Sequence, residues 1–154
     1  MYDFVLLAHS WLRWLVLLAG LAALARAFTG VNTRRPWTPL DDRGGMLFTA
    51  ALDLQMLLGL VLYAFLSPVT QSAFVDMAAA MRAAPIRFFA VEHPVGMIAA
   101  IALAHVGRVR IRKATDSESR HKRALVFFGL ALLVLLLSMP WPIGPGARSL
   151  FRGL

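Results

Sequence analysis

The sequence predicts an all-α fold, a four-helix transmembrane bundle with a short interfacial helix between its second and third spans. Three observations carry that expectation. The 154 residues are 59% apolar, with a mean hydropathy of +0.68; an ordinary soluble domain is about 45–50% apolar. Several apolar runs exceed about 18 residues, the length that crosses a bilayer. The 16 Lys and Arg residues gather in short stretches between those runs. A chain so built is expected to form one integral membrane domain over residues 1–154, with no room for a soluble module.

The first span is expected over residues 4–28. His9 and Arg13 are spaced i, i+4 and share a face, with Gly20 further along it. Trp11 and Trp14 suit an interfacial aromatic belt. Ala25-Arg26-Ala27 resembles a signal-peptide cleavage site, but Asp3 and the lack of any Lys or Arg before Arg13 argue for a retained span. Residues 29–43, with Pro36, Pro39 and the Asp41-Asp42 pair, read as a turn-rich connection. The second span, 44–66, carries Asp53 and Gln55 at the costliest depth, followed by Gly59 and Tyr63. Asp53 is expected to be protonated, or hydrogen-bonded to Gln55 or to a neighbouring helix. Residues 72–84 place Phe74, Met77, Ala78 and Met81 at helical spacing and predict an interfacial helix with Ser72 as N-cap. The third span, 86–109, contains Glu92, His93, Pro94 and Met97, and ends near His105. The fourth, 124–139, is almost wholly Leu, Val, Phe and Ala, and stops at Pro140-Trp-Pro142.

Charge sets the expected orientation. Four basic residues (Arg26, Arg34, Arg35 and Arg43) flank the first connection, and seven (Arg108, Arg110, Arg112, Lys113, Arg120, Lys122 and Arg123) flank the third. The positive-inside rule then puts both connections in the cytoplasm. In a bacterial inner membrane both termini would be periplasmic. The formal charge of +8 is thus read as topology and contact with anionic headgroups of the lipid bilayer. Nucleic acid is excluded as a partner, because the basic stretches lack an aromatic reading surface. With no cysteine in the chain, disulfides, thiolate metal sites, covalent c-type haem and a Cys nucleophile are all excluded. Any metal or haem iron must be held by His, Met, carboxylate or Tyr.

Two spans bring a histidine to the same depth. His9 lies five residues into the first span and His93 seven into the third, roughly 8 and 10 Å at about 1.5 Å per residue. One imidazole from each of two helices is the arrangement b-type haem requires. Arg13 and Arg87 lie near that level and are suited to carboxylates such as haem propionates, while Gly20, Gly59 and Gly96 would let a flat cofactor approach backbone. The plain alternative makes these histidines interfacial, with Arg13 snorkelling outward. Glu92 beside His93 suits a quinone headgroup or a proton relay, or an ion pair with Arg87 or Arg13. Met97, one turn after His93, adds a conceivable copper(I) ligand. His105 and His121 form a second candidate pair across the third connection, although His121 begins a basic run that suits headgroup contact.

These residues also carry a resemblance. His9-Ser-x-Leu-Arg13-Trp14, Leu54-Gln55-x-Leu-Leu-Gly59-x-x-Leu-Tyr63, Arg87-Phe-x-x-x-Glu92-His93-Pro94, His121-Lys-Arg and Met139-Pro-Trp-Pro142 resemble small bacterial four-helix membrane proteins commonly labelled cytochrome-b-like. The likeness covers nearly the whole chain. It implies haem ligation by His9 and His93, and names no substrate or partner. A histidine can stand in that pattern where this chain has Asp53, so helix 2 departs from it. The first expectation is therefore a haem-b electron carrier or small cytochrome-like subunit of a redox complex. The second is a non-catalytic accessory subunit of a respiratory or photosynthetic assembly. Copper or proton handling is the third.

Overall fold

The computed structural model describes residues 1–151. Among them four helices are long and apolar enough to cross a membrane, and there is no strand. The protein is an all-α membrane bundle. Helix α1 spans Tyr2–Thr33. Helix α2 spans Pro39–Val61 and continues through a π-helical turn, Leu62–Leu66. Two short helices follow, α3 (Pro68–Val75) and α4 (Met77–Arg82). Helix α5 (Ala84–Arg87) runs through a second π-helical turn, Phe88–Glu92, into α6 (His93–Arg112). Helix α7 spans Ser117–Ser138. Even α7, the shortest long helix at 22 residues, reaches about 33 Å at about 1.5 Å per residue, against a hydrocarbon core of about 30 Å.

The helices outrun the apolar stretches that announce them. Helix α1 ends at Thr33, where Arg34 adopts a left-handed conformation (φ 52°) as C-cap. Helix α2 starts at Pro39, five residues before the apolar run, because Thr38 and Asp41 form a reciprocal capping box that satisfies the first-turn donors. Helix α7 starts at Ser117, capped by the Asp116 carboxylate, which accepts from Ser119 N at 2.8 Å. Polar caps set the starts of α2 and α7 and a left-handed residue sets the end of α1; hydropathy sets only the part inside lipid. The 72–84 helix also differs from expectation. It is two helices, α3 capped by Ser67 and α4 capped by Asp76; Ser72 sits inside α3 and bonds back to Val69 O.

Both π-helical turns precede a proline, and each proline deprives the carbonyl four residues earlier of its N–H. His93 N donates to Phe88 O, five residues back. Ala90 O, which Pro94 cannot reach, accepts from the Tyr63 hydroxyl at 2.9 Å. Likewise Ser67 N donates to Leu62 O, and Ala64 O, released by Pro68, accepts from Gln71 Nε2 at 2.8 Å. In hydrocarbon such replacements are obligatory.

The helices close a ring in the order α1, α2, α6, α7, with α2 and α6 the most loosely joined neighbours. The core is small residues around a few large ones. Phe48 and Phe128 meet edge-on at 5.5 Å, surrounded by Val16, Ala100, Ala104 and Ala131. The glycine that the sequence suggested as room for a cofactor, Gly20, serves this packing instead. A Cβ there would fall 2.7 Å from both Phe48 and Leu132. His9 and His93 lie at one end of the bundle, the pair end. The connection 34–38 and the Lys and Arg stretch around 108–123 lie at the other, the basic end, tied by Asp41. That carboxylate is 2% exposed and meets Arg26 at 2.9 Å and Arg35 at 2.6 Å.

Candidate functional site

At the pair end, His9 of α1 and His93 of α6 face each other. Their ring centroids are 6.5 Å apart and their planes cross at 78°. Each ring is held by a second residue. The Gln55 amide nitrogen, from α2, donates to His9 O at 3.0 Å and lies 3.3 Å from His9 Nε2. His93 Nδ1 lies 2.8 Å from Ser138 O, the last residue of α7. A carbonyl only accepts, so His93 carries its proton on Nδ1 and presents a lone pair at Nε2. The sequence builds this contact through Gly96. It lies one turn below His93, and a Cβ there would collide with the Ser138 side chain. Gly59 plays the same part for His9, since its absent Cβ would stand 3.2 Å from His9 Cε1. Thus Gly59 and Gly96 do leave room, but for the histidine and its anchor.

Three buried polar atoms at this end have no hydrogen-bond partner among the described residues: His9 Nδ1, Gln55 Oε1 and Arg13 Nε. Leaving such a group unmet costs about 1–3 kcal/mol. A cluster of them marks a place that a ligand, an ion or water completes. Arg13, 8% exposed, lies one turn from His9. Its Nη2 donates to Leu150 O at 2.6 Å, and Phe151 stacks on Trp14 at 5.2 Å, so the segment after α7 folds back over α1. Phe88 and Phe89 flank the His93 ring at 6.0 and 6.2 Å.

The other residues singled out in the sequence go elsewhere. Arg87 and Glu92 pair with each other at 2.7 Å on the exposed side of the second π-helical turn. Glu92 thus takes the ion-pair alternative, and neither residue joins the ring pair. Met97 packs against the central core. No group of three or more His, Asp or Glu suited to a metal ion occurs among the described residues.

His105 and His121 do not meet. His105 Nε2 reaches Asp53 Oδ1 at 2.8 Å on the open α2–α6 face. Asp53 therefore finds its partner on the neighbouring helix, and Gln55 is used by His9. His121 is completely buried between Gly30 and Trp37, whose ring lies 4.9 Å away. That burial overturns the expected headgroup contact. The basic residues after it point to solvent, but the helix turns His121 itself inward. Two ligand-positioning residues of the site, Gln55 and Ser138, carry no such signal in the sequence pattern. Only their chain positions, level with His9 and His93 across the bundle, hint at the role.

No family model, no curated protein and no solved structure matches the chain, so the functional reading rests on these side chains.

Proposed function

We propose that the protein is a haem-b-binding electron carrier of the bacterial inner membrane, or the small cytochrome-like subunit of a redox complex. The haem would lie between His9 and His93. One observation carries this reading: two imidazoles from separate helices approach to 6.5 Å, each with one ring nitrogen engaged by the protein. At that separation both rings would be within reach of one iron, since metal–nitrogen(His) bonds are about 2 Å. A pair of imidazoles is among the donor sets open to a chain without cysteine.

Haem bound here supplies a one-electron couple. The chain's own residues do the rest. Ser138 O holds the proton of His93 on Nδ1, which fixes the ring and makes Nε2 the donor atom. The unpartnered nitrogen of the opposite ring is His9 Nδ1; it would act as a ligand with the ring proton on Nε2 and the Gln55 amide oxygen turned to accept it, and because a proton competes for the same lone pair, binding weakens as pH falls. Phe88 and Phe89 supply an apolar wall beside the His93 ring. The Arg13 guanidinium, with Nε unmet, suits a carboxylate at the edge of the site. The positive-inside rule supports a cytoplasmic basic end and periplasmic termini.

The test is an absorption spectrum of the purified full-length protein with iron analysis. A Soret band is expected, lost in both His93→Ala and His9→Ala while helicity is retained. A colourless, iron-free protein after haem loading would overturn the reading.

One observation favours a second reading, an accessory subunit of a larger respiratory or photosynthetic complex. The α6 span is the least buried of the four, with 11% of its apolar window covered. It also carries His105, whose partner Asp53 is 53% exposed, out on that open face. Copurification with a large complex, together with unchanged folding of the His9→Ala, His93→Ala double variant, would favour that reading over the first.

A further inference from the structure

The open α2–α6 face contains a cavity of about 500 Å³ at the basic end. We propose that this cavity is a binding site for an anionic phospholipid, with the lipid phosphate at its basic mouth. Its walls change character along its length. Along α6 it runs from His105, held by Asp53, past the apolar Met46, Val106 and Val109, to Arg108, Arg110 and Arg112 at its basic mouth. An acyl chain matches the apolar wall and a phosphate matches the arginines, and basic pockets between transmembrane helices hold anionic headgroups in this way.

Arg108 is the centre of the site. It is 5% exposed, an unusual position for a guanidinium at a helix end, where snorkelling into water is open to it. Gly45 makes the burial possible, since a Cβ there would stand 3.0 Å from Arg108 Nη1. Nη1 donates to Asp42 at 2.8 Å, but Nη2 is buried with no partner among the described residues. Asp42 is the one carboxylate beside it, and Asp42 borders the adjoining hollow under Trp37 and not this cavity. Three arginines therefore line the mouth, and only Arg108 among them has a recorded acid partner, Asp42. A planar guanidinium with a spare N–H edge is a phosphate ligand.

The purified full-length protein in detergent is titrated with phosphatidylglycerol, with phosphatidylcholine and with inorganic phosphate, and followed by native mass spectrometry and thermal unfolding. Phosphatidylglycerol is expected to form a retained one-to-one adduct and raise the unfolding temperature, with phosphatidylcholine doing neither. Affinity should fall about fivefold for each arginine removed in Arg110→Gln and Arg112→Gln. Arg108→Gln should abolish the adduct; because that variant also breaks the ion pair with Asp42, the Arg110→Gln, Arg112→Gln double variant carries the test should Arg108→Gln misfold. Arg120→Gln, Lys122→Gln, which removes equal charge outside the cavity, should bind as the parent does. Equal binding of phosphatidylcholine, or an equal loss in the Arg120, Lys122 variant, would overturn the site. Protection by inorganic phosphate alone to the same degree would overturn the lipid as its source.

Discussion

The four histidines make two pairs in the sequence, and only one of them survives folding. His9 and His93 meet at the pair end. His105 and His121 separate at the basic end, one to an exposed partner and one to a sealed interior. Chain position alone does not explain the difference. Rotation about the helix axis does. His9 and His93 each face an absent Cβ or a carbonyl on a neighbouring helix that turns them inward, at Gly59 and at Ser138 beside Gly96. His105 is turned out toward α2, and His121 is turned toward α1 by the gap at Gly30. A residue's level is written in its position; its facing is written in the small residues opposite.

The comparison breaks most sharply in the cofactor spectrum. If only the first pair is a ligand pair, His9→Ala and His93→Ala each remove the Soret band completely. His105→Ala and His121→Ala leave its position and intensity unchanged. A spectrum lost in His105→Ala or His121→Ala would erase the distinction.

The glycines test facing directly. A Cβ at Gly96 would collide with Ser138, and one at Gly30 with the His121 ring. Overpacking of this kind costs about 1–3 kcal/mol, so both Gly96→Ala and Gly30→Ala should lower the unfolding temperature. On the haem reading, only Gly96→Ala should also shift the absorption spectrum, because it pushes away the carbonyl that holds His93. An unchanged spectrum in a folded Gly96→Ala protein would show that Ser138 does not position the ligand.

Much of this was legible beforehand, and the boundary has a physical cause. Lipid imposes a length and a polarity on every span, so the four helices follow from hydropathy. The matched depth of His9 and His93 follows from counting residues at a fixed rise. Helix ends did not follow, because the Thr38–Asp41 box and the Asp116 cap lie outside the apolar runs. The split of the 72–84 helix was hidden by an apolar stripe that continues across Asp76, whose carboxylate starts a new helix. Gln55 looked like a partner for Asp53 because they are two residues apart; on a helix that spacing points them to different faces.

His121 offers a smaller and inverse test. Neither of its ring nitrogens has a partner among the described residues. Replacing an unmet buried polar group by an apolar one of similar size removes a penalty of about 1–3 kcal/mol. His121→Leu should therefore hold or raise the unfolding temperature, whereas His93→Leu, which strands the Ser138 carbonyl, should lower it. A large drop in His121→Leu would mean the ring has a polar task at the basic end after all.

The smallest expected effect lies at Asp116, outside the spans. Its bond from Ser119 N holds the carboxyl below the usual carboxylate range. A carboxyl depressed in the folded state adds stability above its unfolded value of 3.8, and loses it as pH falls through the lower folded value. Asn caps a helix about as well as Asp but does not titrate. Asp116→Asn should therefore lower the unfolding temperature slightly at pH 7, and the gap should close as the pH drops below the unfolded value. A gap that stays constant down to the acid limit would assign the effect to hydrogen-bond geometry and not to charge at the start of α7. The capping oxygen, common to Asp and Asn, would then be all that fixes this end of the helix.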